Sequence, residues 1–247
     1  MQVGLFVTCL VDLFRPSIGF AALKLLEAAG CEVVVPAAQT CCGQPGYNSG
    51  DRAGAQVLAR KVLHEFNTCE YVVVPSGSCA GMIRTHYREL LAEFSELRQQ
   101  IERLAERTYE LTDFLQNVLK VSEPPGRWQG VVTYHDSCSG LRELGVKAQP
   151  RALLARVHGL ELKEMSTPEQ CCGFGGTFAV KFGEISTRIC DQKCADIAAT
   201  GANAVILGDL GCMLNIEGRM RRRGETTRVL HIAEVLAGMT DADGSGA

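Results

Sequence analysis

Short apolar runs alternate along the chain with longer stretches whose apolar residues recur at helical spacing. In the first half the runs fall at 3–8, 32–36, 71–75 and 108–111. In the second they fall at 131–135, 160–163, 204–208 and 227–231. Runs of this length, rich in β-branched residues, read as strands. Between them, Ala55, Leu58, Ala59, Val62, Leu63 and Phe66 share one face of a predicted helix. A second helix is predicted from Pro16 to Ala29, with Phe20, Leu23 and Leu26 inward and Gly30 as its stop. Strand–helix alternation predicts βαβ units about parallel sheets, an α/β fold.

The pattern occurs twice. GLFVTC (4–9) matches VTYHDSC (132–138), and EYVVVPSGSC (70–79) matches NAVILGDLGC (203–212). YELTDFLQNVL (109–119) matches VLHIAEVLAG (229–238). Such self-similarity predicts two lobes related by pseudo-twofold symmetry, each a small, mostly parallel sheet flanked by helices. The first lobe is expected over 1–121 and the second over 131–240. The proline- and glycine-bearing stretch 122–130 reads as a linker, and the small, polar end 241–247 as a disordered tail.

Composition changes this picture at one residue type. Twelve cysteines in 247 residues are far above ordinary usage, while 46% hydrophobic residues and a net charge of −3 are those of a globular domain. The mild acidity argues against a nucleic-acid surface. No apolar run is long enough for a membrane span, and the first residues lack a basic leader, so a cytoplasmic location is expected. In a reducing compartment, abundant cysteine points to metal or redox chemistry before disulfides.

Eight of the twelve follow the repeat: Cys9, Cys41, Cys42 and Cys79, then Cys138, Cys171, Cys172 and Cys212. Each falls just after a predicted strand. Loops beyond the carboxyl ends of parallel strands share one crevice, so three loops per lobe would bring four thiols together. Four thiolates suit an iron–sulfur cluster, whose several irons let adjacent cysteines reach different metal atoms. Gly43 and Gly173 follow the two pairs and allow tight turns there. Zinc takes four cysteines too, usually in C-x₂₋₄-C knuckles absent from this set, and remains an alternative. So does a strained vicinal disulfide. Cys31, Cys69, Cys190 and Cys194 have no repeat partner and read as core residues, Cys190 on an apolar stripe with Phe182, Ile189 and Ile197.

The stretches VGLFVTCLVDLF (3–14), CCGQPGYNSG (41–50), PSGSCAGMI (75–83), YHDSC (134–138) and CCGFGGTFAVK (171–181) carry a family resemblance. The chain resembles the cysteine-rich CCG proteins, among them heterodisulfide reductase B subunits and iron–sulfur subunits of glycolate- and glycerol-3-phosphate-oxidising enzymes. Within them it is most similar to the lactate utilization protein A family. That resemblance implies a part in oxidising L-lactate to pyruvate alongside companion proteins, one a ferredoxin-like iron–sulfur subunit. It also implies iron–sulfur clusters at the CCG motifs. The wider family ends each motif with Cys-x-x-Cys, whereas Met82 and Asn215 stand at the last position here. Four cysteines per half favour one or two [4Fe–4S] clusters over the five-cysteine non-cubane kind, and electron transfer over disulfide reduction. A component acting on glycolate, glycerol phosphate or a disulfide, and a zinc-stabilised scaffold, are the competing readings.

Further candidates are weaker. His135 and Asp136 precede Cys138, where a histidine could accompany electron transfer with a proton. Arg15 and Arg142 follow the first cysteine of each half and could hold a carboxylate such as lactate. Gln44, Tyr47 and Asn48 could line a surface beside the first pair. The run Arg219, Arg221, Arg222 and Arg223 could complement a helix end or dock an acidic partner. No Gly-x-Gly-x-x-Gly follows a predicted strand, so no dinucleotide site is expected.

Overall fold

The eight apolar runs are eight strands in the computed structural model, which describes residues 1–240. The expected tail, 241–247, lies outside the described residues. In the first lobe β1 (Gln2–Leu5) is followed by α1 (Cys9–Phe14) and α2 (Ser17–Ala28), and β2 (Glu32–Val34) by α3 (Gln44–Ser49) and α4 (Arg52–Glu65). Strand β3 (Tyr71–Val74) leads to α5 (Gly77–Gly81), α6 (Tyr87–Leu90) and α7 (Arg98–Arg107), and β4 (Thr108–Glu110) to α8 (Leu111–Asp113). The second lobe repeats this. Strand β5 (Arg127–His135) precedes α9 (Cys138–Leu144) and α10 (Ala148–Leu154), and β6 (His158–Leu162) precedes α11 (Thr177–Lys181) and α12 (Gly183–Ala199). Strand β7 (Ala204–Leu207) leads to α13 (Leu210–Arg222), and β8 (Arg228–His231) to α14 (Ile232–Ala237).

Both sheets are wholly parallel. Their strand orders, β2-β1-β3-β4 and β6-β5-β7-β8, are the same. In each sheet the order reverses between the first and third strands, which opens a crevice at their carboxyl ends. The lobes pack with exchange symmetry: α2 lies against α14, and α10 against α8. One apolar core runs through both, from Val3, Leu5 and Ile18 to Val132, Ile206 and Leu236. A second cluster, around Phe6, Phe66, Met82 and Tyr87, belongs to the first lobe.

Two expectations change. The stretch 122–130 is not all linker, because β5 begins at Arg127 and pairs Arg127 with His158 across a bulge before Gly130. The buried Trp128 anchors that extension. Phe20 and Phe182, placed inward by helical spacing, are 64% and 53% exposed. Spacing marks a face of a helix, and only its neighbours decide how wide that face is.

Candidate functional site

Every repeated cysteine sits where a strand gives way to a helix. Cys9 and Cys138 are the first residues of α1 and α9, whose caps are the Thr8 and Ser137 hydroxyls. Cys79 and Cys212 lie three residues after the caps Ser76 and Asp209 of α5 and α13. A thiol in the first helical turn faces free N–H groups and the positive dipole end, which favours the thiolate. The Cys-Cys pairs lie in the loops after β2 and β6. Gly43 and Gly173 follow them at φ +86 and +87, and a Cβ on Gly173 would sit 2.6 Å from the Ser186 carbonyl oxygen. Each glycine turns its N–H onto the first thiol of its pair, 3.4 Å from Cys41 Sγ and 3.3 Å from Cys171 Sγ.

The four thiols of each lobe form a row. Cys41 is within hydrogen-bond reach of Cys42 and Cys9, and Cys42 Sγ lies 3.3 Å from Cys79 Sγ. In the second lobe the row runs Cys138, Cys171, Cys172, Cys212. All twelve cysteines are free thiols. Hydrogen bonds from Cys42 and Cys9 hold Cys41 far below the ordinary thiol range, and those from Cys138 and Cys172 do the same for Cys171. The partners Cys9, Cys42, Cys138 and Cys172 are raised in turn, first by those shared bonds and then by burial. Each lobe thus offers four sulfur donors with one ready thiolate in the row, a donor set that fits an iron–sulfur cluster in kind and number. Cys31, Cys69, Cys190 and Cys194 are buried in the core, the last two in contact with each other and Cys190 behind the Gly173 turn.

The two rows approach one another between the lobes. Helix α5, bearing Cys79, packs on α9, bearing Cys138, so closely that a Cβ on Gly77 would meet Gly140 Cα at 2.9 Å. Asp209 ties the same region together. Its Oδ1 accepts from Gly211 N–H of its own helix, and its Oδ2 accepts from Ser76 Oγ and from Ser78 N–H of the other lobe.

This architecture has known relatives. The model of the CCG cysteine-rich domain matches residues 3–84 and 132–217, the two halves that carry the thiol rows. The chain is 46% identical over 237 residues to lactate utilization protein A 2 of Bacillus cereus (strain 03BB102), covering 96% of this chain and 98% of that one. It is 49% identical over 236 residues to lactate utilization protein A of Geobacillus kaustophilus (strain HTA426), with the same coverage. The chain belongs to the lactate utilization protein A family. A crystal structure of a hypothetical protein from Helicobacter pylori shares the fold at TM-score 0.66 and 13% identity. That match covers 98% of this chain and 49% of the other.

Within this family member the weaker candidates divide. Arg15 is held by Glu234 at 3.0 Å. Asp136 is buried in a bidentate pair with Arg151, at 2.8 and 2.9 Å. Arg142 is exposed. His135 is fully buried, with a ring nitrogen within 4.8 Å of the Cys172 and Cys212 sulfurs. Burial first, and then the Lys193 ammonium, pull its pKa down to about 3. Gln44 Nε2 donates to the Ser78 carbonyl, and Tyr47 to Glu89. In the basic run, Arg219 and Arg223 pair with Asp191, and Arg221 with Glu217. Sequence reading missed Asp209 and its repeat partner Ser76. The signal was a capping residue three places before the last cysteine in both halves.

Proposed function

We propose that the chain is an iron–sulfur redox component of a system that oxidises L-lactate to pyruvate. One observation carries the reading: two four-thiol rows at the carboxyl ends of duplicated parallel sheets, brought together through α5 and α9. The names of the relatives direct it to lactate. Cys9, Cys41, Cys42 and Cys79 would hold one cluster, and Cys138, Cys171, Cys172 and Cys212 a second. When bound, such clusters supply one-electron storage. Lactate oxidation releases two electrons and two protons, so two adjoining one-electron sites match its electron count. The capped helix ends and the Gly43 and Gly173 N–H groups hold and neutralise the thiolates.

Electrons would enter or leave through companion proteins, including a ferredoxin-like iron–sulfur subunit, in the cytoplasm. Large apolar side chains stand exposed on the elements that follow the cysteines. They are Leu13 and Phe14 on α1, Val180 on α11 and Ile185 on α12. Among the described residues, no helix is long and apolar enough to cross a membrane.

A zinc-stabilised scaffold is the second reading. Four sulfurs about one tetrahedral zinc lie ~3.8 Å apart, given Zn–S distances of ≈ 2.3 Å, and the 3.3 Å Cys42–Cys79 contact is nearer that spacing than a multi-iron one. Anaerobic purification separates the two. The redox reading expects about eight irons with matching acid-labile sulfide per chain, with Cys41→Ser or Cys171→Ser losing half and Cys31→Ser none. Stoichiometric zinc without sulfide rejects it.

A further inference from the structure

The two thiol rows are alike in their cysteines and unlike in what backs them. Phe6 directly follows β1, three residues before Cys9, and His135 ends β5 three residues before Cys138. Phe6 is fully buried and packs on Phe66, with ring centroids 5.6 Å apart. It belongs to the same apolar cluster as Cys42 and offers no ligand atom. His135 is equally buried, yet neither of its ring nitrogens has a hydrogen-bond partner. The carbonyl of Pro168 lies near the ring but is engaged by the Asp136 N–H and by Lys193 Nζ. Burying two polar nitrogens without partners costs several kcal/mol by the usual transfer scales, so such a ring is seldom left idle. The groups within its reach are the sulfurs of Cys172 and Cys212.

We propose that the second-lobe site is a mixed nitrogen–sulfur site, in which His135 adds an imidazole donor to Cys138, Cys171, Cys172 and Cys212. The first-lobe site is all-thiolate. The inference rests on metal binding by these thiols, as in the reading above, but on no particular metal. Imidazole and thiolate together suit iron, zinc and cobalt alike. A ligating imidazole needs one ring nitrogen with its lone pair free, and neither His135 nitrogen is otherwise engaged. Lys193 itself is fully buried, donates to the Thr167 carbonyl at 2.6 Å, and stands where the first lobe has Val62. The second site is therefore equipped with a nitrogen donor and a nearby cation, and the first with neither. A buried cation beside the site raises an iron–sulfur potential through the local charge, so electrons would collect in the second lobe.

The test uses metal ions as probes of the full-length apoprotein under anaerobic conditions. Wild-type protein labelled with ¹⁵N-histidine and loaded with ¹¹³Cd should show a one-bond nitrogen–cadmium coupling on one of its five histidines. His135→Phe, which installs the first-lobe residue, should abolish that coupling. It should weaken cobalt(II) affinity of the second site by at least tenfold, with a change in the ligand-field bands. His135→Cys should restore affinity with an all-sulfur spectrum. Absence of any histidine coupling in the wild type overturns the proposal without recourse to a variant. So does an unchanged affinity and spectrum in a folded His135→Phe protein. The iron and sulfide content of the protein as purified anaerobically, before its metal is stripped, judges the cluster reading separately.

Discussion

At single residues, the glycines after the Cys-Cys pairs show what the motif demands. Both adopt a positive φ that other residues reach only with strain. Gly173 also lies under α12, where a Cβ would strike the Ser186 carbonyl oxygen. Gly176 has φ +63 but open space around it. Gly173→Ala should therefore cost roughly 2–4 kcal/mol, strain and overpacking together, and Gly176→Ala only about 1 kcal/mol. Urea unfolding measures both, and equal losses would refute the steric part. The requirement for glycine was legible from its place after the pair. The carbonyl above it was not, since α12 arrives from later in the chain.

At the scale of elements, the strand ends repeat in position while differing in charge. Glu110 ends β4 and caps α8, and His231 ends β8 and caps α14. Glu110 reaches towards Gly208 of the other lobe, and His231 lies beside Pro75 of its own opposite lobe. Burial raises Glu110 to about 7 and lowers His231 to about 4. The linkage signs are opposite. With a raised folded pKa, Glu110 contributes stability that is complete below its unfolded value and lost as pH rises through 7. With a lowered one, His231 contributes stability that is present above pH 6.5 and lost as pH falls through 4. The two slopes oppose each other between about pH 4.5 and 6.5. Glu110→Gln should make the melting temperature climb more steeply with pH across that window than in the wild type. His231→Asn should make it climb less steeply. Thermal melts at pH 5 and 6.5 decide, and parallel pH profiles for all three proteins would count against both assignments.

For the whole molecule, the issue is how two lobes act as one. The shared core and the crossed packing of α2 on α14 and α10 on α8 predict a single unfolding transition. Asp209 is the polar counterpart, holding N–H groups of both cysteine-bearing helices at once. Asp209→Ala should cost about 2–4 kcal/mol, since it removes a cap and orphans buried donors of the other lobe. Ser137→Ala, a cap within one lobe, should cost about 1 kcal/mol. Hydrogen exchange should show the Asp209→Ala loss at Ser78 as well as Gly211. Protection lost in the second lobe alone would mean that the bridge does not hold the lobes together.

The chain by itself determined the eight strands, the duplicated halves and the eight cysteines placed after them. Those features are written in short-range periods and in recurrence, which need no knowledge of distant neighbours. Only the tertiary structure decided that β5 starts inside the expected linker, that Phe20 and Phe182 face outward, and that Asp136 and Arg15 are occupied by Arg151 and Glu234. It alone set Asp209 between the lobes and turned the unpartnered His135 ring on Cys172 and Cys212. Each of these depends on which surfaces meet across a hundred or more residues or across a layer of packing, and local spacing carries no record of that meeting.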